Sequence, residues 1–373
     1  MTSDVEITVV GGSLAGLTLA LACAVRGMPV RVLEQSKGHV LGGDSLTVDL
    51  SLLRAATGHD PRQPPALPVV PAYRDLTTWP ALYSWLRARV NETPTIALES
   101  DRRVLSVTDL GEGVEVTFED GQKRITPVVL GADGYRSIVR RAITPDNPYA
   151  RYAGYLVWRG LVEERTLKRP VPWPTDGGLW IEIIDGYRLV AATLPGRDGS
   201  LVPGYRQITF AWFDVHQEQL LRRTGCLTSD GHIVGSLARG MIDESVRLDL
   251  ASRARAIWPE QWLEAVLTGI SSPETLSGAP IAEYKPTQLA RGNLAILGDA
   301  AHVISPMTGR GLLTGMEDTS TLAQLLATRN PNDSFASVLG SYEQARLPFI
   351  QGLVNHSMSI SAEYRRRAGA QMS

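Results

Sequence analysis

Two glycine-rich stretches sit near opposite ends of the 373-residue chain, and both have the residue types of anion-holding turns. The first is VVGGSLAG, residues 9–16; the second is GDAAHVISPMTGRG, residues 298–311. Each follows an apolar run and leads into a helix-like segment. The N–H groups of a helix N-terminus then point out of the turn, where they favour a phosphate or another anion. In the first stretch Gly11 permits a sharp turn, Leu14 opens the helix and Gly16 lets it pack closely on the strand. Ser13 stands where the dinucleotide fingerprint has its middle glycine; it is small, and its hydroxyl can donate to a phosphate. Glu34 ends the next strand-like run, VRVLE, near the spacing of the carboxylate that accepts hydrogen bonds from an adenosine ribose. That carboxylate would repel a 2′-phosphate. The pattern points to a bound dinucleotide and does not by itself separate FAD from NAD.

In the second stretch Asp299 ends a strand-like run and is placed to accept from hydroxyls. Gly309 and Gly311 expose backbone N–H groups ahead of the helix-like LLTGMEDTSTLAQLLA. One extended dinucleotide accounts for both turns, with its ADP end on the first. A reduced flavin carries negative charge on its N1–C2=O edge, which a helix N-terminus favours by roughly 0.3–1 kcal/mol when exposed. The two loops would therefore grip one FAD from opposite ends.

The elements that must carry these turns follow from periodicity. EITVVGGSLAGLTLALACAVRGMPVRVLE reads as strand, glycine turn, helix and second strand. Residues 38–75 read as irregular, and TTWPALYSWLRARV as a helix after Thr78 with Pro80 in its first turn. RRVLSVTDLGEGVEVTFEDGQKRITPVVLGADG alternates apolar and polar residues around glycine turns, a β-meander. Aromatic-rich strands (YAGYLVWRGLV, GGLWIEIIDGYRLVAATLPG, YRQITFAWFDV) and a helical stretch, DLASRARAIWPEQWLEAVLTGI, then change the texture. The expected fold class is α/β: a Rossmann-type FAD-binding domain with parallel sheet and β-meander, plus an inserted α+β domain with an antiparallel sheet. The expected boundaries are 1–150 with 284–373 for the first and 151–283 for the second. The C-terminal segment from Ser334 reads as helix.

Composition excludes several classes. With 43 % apolar and 20 % charged residues the chain can fill a core, and a net charge of −2 suggests no nucleic acid and no charged membrane partner. Two cysteines, Cys23 and Cys226, form no framework, and scattered histidines give no metal site. MTSD passes straight into a strand, leaving no room for a signal peptide, and no apolar run is long enough to span a bilayer. These features imply a cytoplasmic location; the oligomeric state is left open.

Three segments together, VVGGSLAG…E, GADGYRSIVR and GDAAHVISPMTGRG…MED, resemble in order and spacing the three fingerprints of single-component flavoprotein aromatic hydroxylases. This is the p-hydroxybenzoate hydroxylase-like family of FAD monooxygenases. YAGYLVWRGLV further resembles the branch with 2,6-dihydroxypyridine, 6-hydroxynicotinate and urate hydroxylases. The resemblance implies that Gly11, Ser13, Leu14 and Gly16 hold the pyrophosphate, and Glu34 and Gln35 the adenosine, with Val104 against the adenine. Asp133 would belong to the fingerprint shared by FAD and the nicotinamide cofactor, and Asp299 would bind the ribityl and pyrophosphate region. Pro306 and the backbone of Gly309, Arg310, Gly311 and Leu312 would lie along the flavin ring. Two departures are Trp79, where many members place an FAD-contacting arginine, and Met307–Thr308, at positions often polar or small.

The implied reaction is hydroxylation of a small aromatic or N-heteroaromatic substrate. NADH or NADPH would serve as reductant, O₂ as oxidant, and a C4a-hydroperoxyflavin as oxygen donor. Trp158, Trp180, Tyr187, Trp212 and Met307 are the candidate pocket residues; ordinary strand packing is the competing account of each aromatic. No catalytic base is identified. His302 reads as satisfying a local hydrogen bond beside the cofactor, and Glu317–Asp318 as solvated or capping residues. A flavin-dependent reductase of the same fold and a non-catalytic flavin-binding module are the alternatives.

Overall fold

The computed structural model describes residues 6–38 and 45–370. The leading MTSD lies outside them. The expected α/β class is borne out. A six-stranded sheet runs in the order 290–291, 294–296, 129–131, 7–10, 30–33, 96–99, parallel except at its first pair. Its central strand, Ile7–Val10, is buried at every residue, which explains a continuous β-branched run instead of an alternating one. The Leu14–Ala24 helix is buried on nearly all sides, between this sheet and the Gly311–Ala327 helix. Gly16 makes that approach possible, because a Cβ there would stand 1.9 Å from the Gly11 carbonyl oxygen.

The meander is present as Val104–Asp109, Val114–Phe118 and Lys123–Thr126. Val129–Gly131, which alternation assigns to it, instead joins the parallel sheet beside Ile7–Val10. The stretch read as irregular also holds regular structure. Ser45–Val48 pairs with Asp75–Thr78, and Leu50–Thr57 is a helix. Asp49 caps that helix by accepting from the Ser51 and Leu52 N–H groups at 2.9 Å, and Gly58 ends it at φ 74°. Residues 39–44 lie outside the described residues.

A second sheet is antiparallel, ordered 180–184, 187–194, 207–214, 151–163, 277–283. The Glu244–Ile257 and Glu260–Ser271 helices, separated at Trp258–Pro259, cover one face. There Trp258 and Trp262 join Trp158, Phe210 and Trp212 in one apolar cluster. A fully buried ion pair, Glu164–Arg206 (2.7 Å), secures the loops at one end of this sheet through the Val171 and Gly204 N–H groups and the Val171 and Trp173 carbonyls. The Phe335–Ala370 helix, about 54 Å long at 1.5 Å per residue, touches both sheets. Tyr342 donates to the Ile296 carbonyl at 3.1 Å, and Tyr364 to the Phe213 carbonyl at 2.7 Å.

Candidate cofactor site

The three glycine-containing segments meet although they are far apart in sequence. A Cβ on Gly11 would strike the Ala132 carbonyl at 2.4 Å, and one on Gly298 would stand 3.0 Å from the Ala15 Cβ. Arg140, at the end of the middle segment and fully buried, donates to the carbonyls of Pro148 (2.9 Å), Ala300 (3.0 Å) and Asp299 (3.4 Å), and also to that of Tyr135. It packs over the Tyr284 ring. One buried guanidinium thus ties the middle segment to the third through carbonyl oxygens alone, and burial lowers its pKa.

At the first turn Gly11 has φ 103°, and Glu34 accepts from the Gly12 N–H and the Ser36 N–H, both at 2.7 Å. Gln35 is exposed beside it, and Val104 is buried against the main core. Asp133 is occupied locally: it accepts from Ser137 Oγ at 2.5 Å and from the Ile138 N–H at 2.7 Å, at the start of the Ile138–Ile143 helix. Burial raises its pKa against those bonds.

At the second turn Asp299 is exposed while residues 293–298 and 300–303 are buried, and its carboxylate has no hydrogen-bond donor among the described residues. Burial of its surroundings pushes its pKa up, opposed by His302 and Arg140. Ser305 caps the short Pro306–Thr308 turn by accepting from the Met307 N–H at 3.1 Å. Gly309 follows at φ 59°, its carbonyl accepting from Arg74 at 3.1 Å. Around the Cβ position of Gly311 there is open space.

The helix starts discriminate between structural and ligand-binding roles. Among the described α-helices, those of Leu50, Trp79, Ile138 and Phe335 have a side-chain cap, and those of Glu218, Glu244 and Glu260 begin with an acid. Only the Leu14–Ala24 and Gly311–Ala327 helices have neither. Two uncapped N-termini, joined at Gly298–Ala15 and flanked by Glu34 and the unpartnered Asp299, fit a ligand with anionic groups and hydroxyls along its length.

The residues expected to form the substrate pocket separate. Trp158, Trp180, Tyr187 and Trp212 all point to the helix-covered face of the antiparallel sheet, where Trp158 donates to Asp214 at 3.3 Å. Met307 packs on the opposite face with Tyr155, Val157 and Phe213, beside Tyr364 of the C-terminal helix. Strand packing therefore accounts for the four aromatics, which do not share a face with Met307. Sequence reading missed Tyr155, whose hydroxyl donates to Ser305 Oγ at 2.7 Å and so joins the sheet to the ring-side loop. It also missed Arg188, on the same face as Phe213, with its Nε buried and unpaired among the described residues. Odd-numbered positions of YAGYLVWRGLV carried the signal for Tyr155, once one knows which face is covered. Asp318, expected to be solvated, is fully buried: His302 Nε2 lies 2.7 Å from it, which agrees with the local bond expected of His302.

Fold and site together define a dinucleotide-binding α/β protein with a second, antiparallel sheet facing the cofactor loop. Models of FAD-binding families match it: an FAD binding domain over residues 249–357 and an FAD binding domain-like family over 152–273. FAD-dependent urate hydroxylase of Klebsiella pneumoniae is 29 % identical over 69 % of this chain and 57 % of that protein. The 3-amino-4-hydroxybenzoate 2-monooxygenase of Streptomyces cremeus is 26 % identical over 97 % of this chain and 88 % of that one. Among solved structures, 2,6-dihydroxypyridine-3-hydroxylase from Arthrobacter nicotinovorans superposes with a TM-score of 0.77 at 20 % identity, covering 98 % of this chain and 93 % of that one. Both matched models are FAD-binding domains, the chain is similar to these hydroxylases over most of its length, and FAD is its cofactor. It spans 57 % of the length of the Klebsiella urate hydroxylases it matches. No helix among the described residues is long and apolar enough to cross a membrane.

Proposed function

We propose that the protein is an FAD-dependent monooxygenase that uses NADH or NADPH and O₂ to hydroxylate an aromatic or N-heteroaromatic small molecule. The observation that carries this reading is the pairing of the two uncapped helix N-termini with an apolar sheet face that meets the ring-side loop at Met307 and Tyr155. Bound FAD would supply hydride acceptance from the nicotinamide and activation of dioxygen. The Leu14–Ala24 N-terminus would hold the pyrophosphate, Glu34 the adenosine ribose and Asp299 the ribityl hydroxyls. Pro306 and the Gly309–Leu312 backbone would lie along the ring. In this reading residues 151–283 form the substrate domain, and 1–150 with 284–373 the cofactor domain.

Val157, Val190, Ala211, Phe213 and Met307 form an apolar wall that keeps water from the reacting atoms. Arg188 would bind an ionised hydroxyl, carboxylate or lactam oxygen of the substrate: burial lowers its pKa, and its unpaired Nε needs an acceptor. Trp158, Trp180, Tyr187 and Trp212 would act from behind, fixing the strands that carry this wall.

Among the described residues there is one βαβ nucleotide fingerprint, so the nicotinamide would dock without a domain of its own, and its oxidation should wait for substrate. The test is a visible spectrum of the purified protein, then oxygen uptake with NADH or NADPH across a library of aromatic and N-heteroaromatic acids and phenols. Substrate-stimulated oxidation with an oxygen atom recovered in product supports the reading. Turnover that is indifferent to O₂ favours a reductase and overturns it.

A further inference from the structure

The third glycine-rich segment is held at two separate points by a side chain from a distant helix. Arg346, in the C-terminal helix, donates from Nε to Asp318 Oδ1 at 2.8 Å and from Nη2 to Glu317 Oε2 at 3.1 Å. The far oxygens of both carboxylates reach the segment itself. Asp318 Oδ2 accepts from the Gly298 N–H at 3.2 Å and lies 2.7 Å from His302 Nε2. Glu317 Oε1 accepts from Arg310 Nη2 at 2.8 Å. Gly298 and His302 bracket Asp299, and Arg310 lies within the ring-side run that begins at Pro306 and ends at Leu312. One guanidinium therefore sets both the hydroxyl-binding end and the ring-binding end of the segment.

We infer that Arg346 is a positioning residue for the flavin site, acting through Glu317 and Asp318; this rests on the reading of residues 298–312 as FAD-binding. Two adjacent carboxylates, one fully buried, repel each other unless a cation lies between them. Arginine's planar fork meets both at once, whereas lysine is a point charge that cannot hold two divergent acceptors. Loss of the fork frees Asp318 and Glu317 to turn independently, and Asp299 and the Gly309–Gly311 backbone then drift relative to each other.

The test compares wild type, Arg346→Lys and Glu317→Gln by titrating apo-protein with FAD and by following amide exchange of residues 298–312 without FAD. Arg346→Lys should keep a cooperative melt, weaken FAD roughly tenfold, the lower end of what supporting partners of a bound group exert, and speed exchange throughout the segment. Glu317→Gln should speed exchange around Arg310 while leaving Gly298 protected, and it serves alone if the lysine variant does not fold. A variant with a lowered melting temperature but unchanged FAD affinity and exchange would overturn the positioning role. Wild type that binds no FAD would instead overturn the cofactor reading, and the exchange data would still decide whether Arg346 orders the segment.

Discussion

Asp299 is a site where binding and stability should move in opposite directions. Its carboxylate has no donor among the described residues, and desolvation by the buried segments on either side raises its pKa above that of an unfolded aspartate. The folded state therefore holds the proton more tightly than the unfolded chain. Stability contributed by this group falls as pH rises from the unfolded pKa through the folded one, and the whole cost is present at neutral pH. Asp299→Asn removes the charge at nearly constant shape, so apo-protein should melt no lower than wild type at pH 7.5, and higher if the cost is fully felt. FAD affinity should fall, because hydrogen bonds to a charged group contribute about 1.5–3 kcal/mol and neutral ones about 0.5–1.5. Asp299→Ala, which loses the acceptor altogether, should weaken FAD by about 10- to 150-fold on that scale, with Asn in between. The assay pairs differential scanning calorimetry of apo-protein with flavin fluorescence titration, repeated across pH. Wild-type affinity should rise with pH through the Asp299 titration, and the Asn variant should lack that step. An Asn variant that is less stable as apo-protein yet binds FAD normally would refute the reasoning.

Gly16→Ala should abolish flavin retention and cost several kcal/mol, since its Cβ would stand 1.9 Å from the rigid Gly11 carbonyl oxygen; soluble, flavin-loaded variant on gel filtration would contradict this. Glu164→Ala strands the fully buried Arg206 and should cost about 3–5 kcal/mol in urea unfolding, with FAD affinity unaltered. Burial acts to raise the Glu164 pKa, but Arg206 and two N–H groups outweigh it, so the net shift is downward; this stability is full above the unfolded pKa and is lost as pH falls from there through the folded pKa. Cys23 is buried and its thiol is pushed up to about 12, so native protein at pH 8 should leave it unlabelled by a thiol reagent, with mass-spectrometric labelling appearing on unfolding.

Much of the cofactor cradle was legible from local chemistry. A glycine turn between a β-branched strand and an apolar helix determines its own backbone path and the direction of its N–H groups. Thr78 with Pro80 marks a helix start in the same way, and its Oγ accepts from the Ala81 N–H at 3.1 Å. Asp49 and Gly58 carried an equally local signal for the Leu50–Thr57 helix, which was obscured by the proline-rich run that follows. Side-chain partners across the fold were not legible. Arg140, Tyr155 and Arg346 find acceptors 150 or more residues away or on another helix, and Asp318 is buried where Gly298, His302 and Arg346 of the C-terminal helix meet it. Alternation in the 151–163 strand separates odd from even residues, but two packed helices decide that the even face with Trp158 is closed and the odd face with Tyr155 meets the flavin loop. Backbone geometry depends on a few neighbouring residues and is written in their types. Which face is covered, and which charge meets which, depends on packing between segments that the chain brings together only when folded.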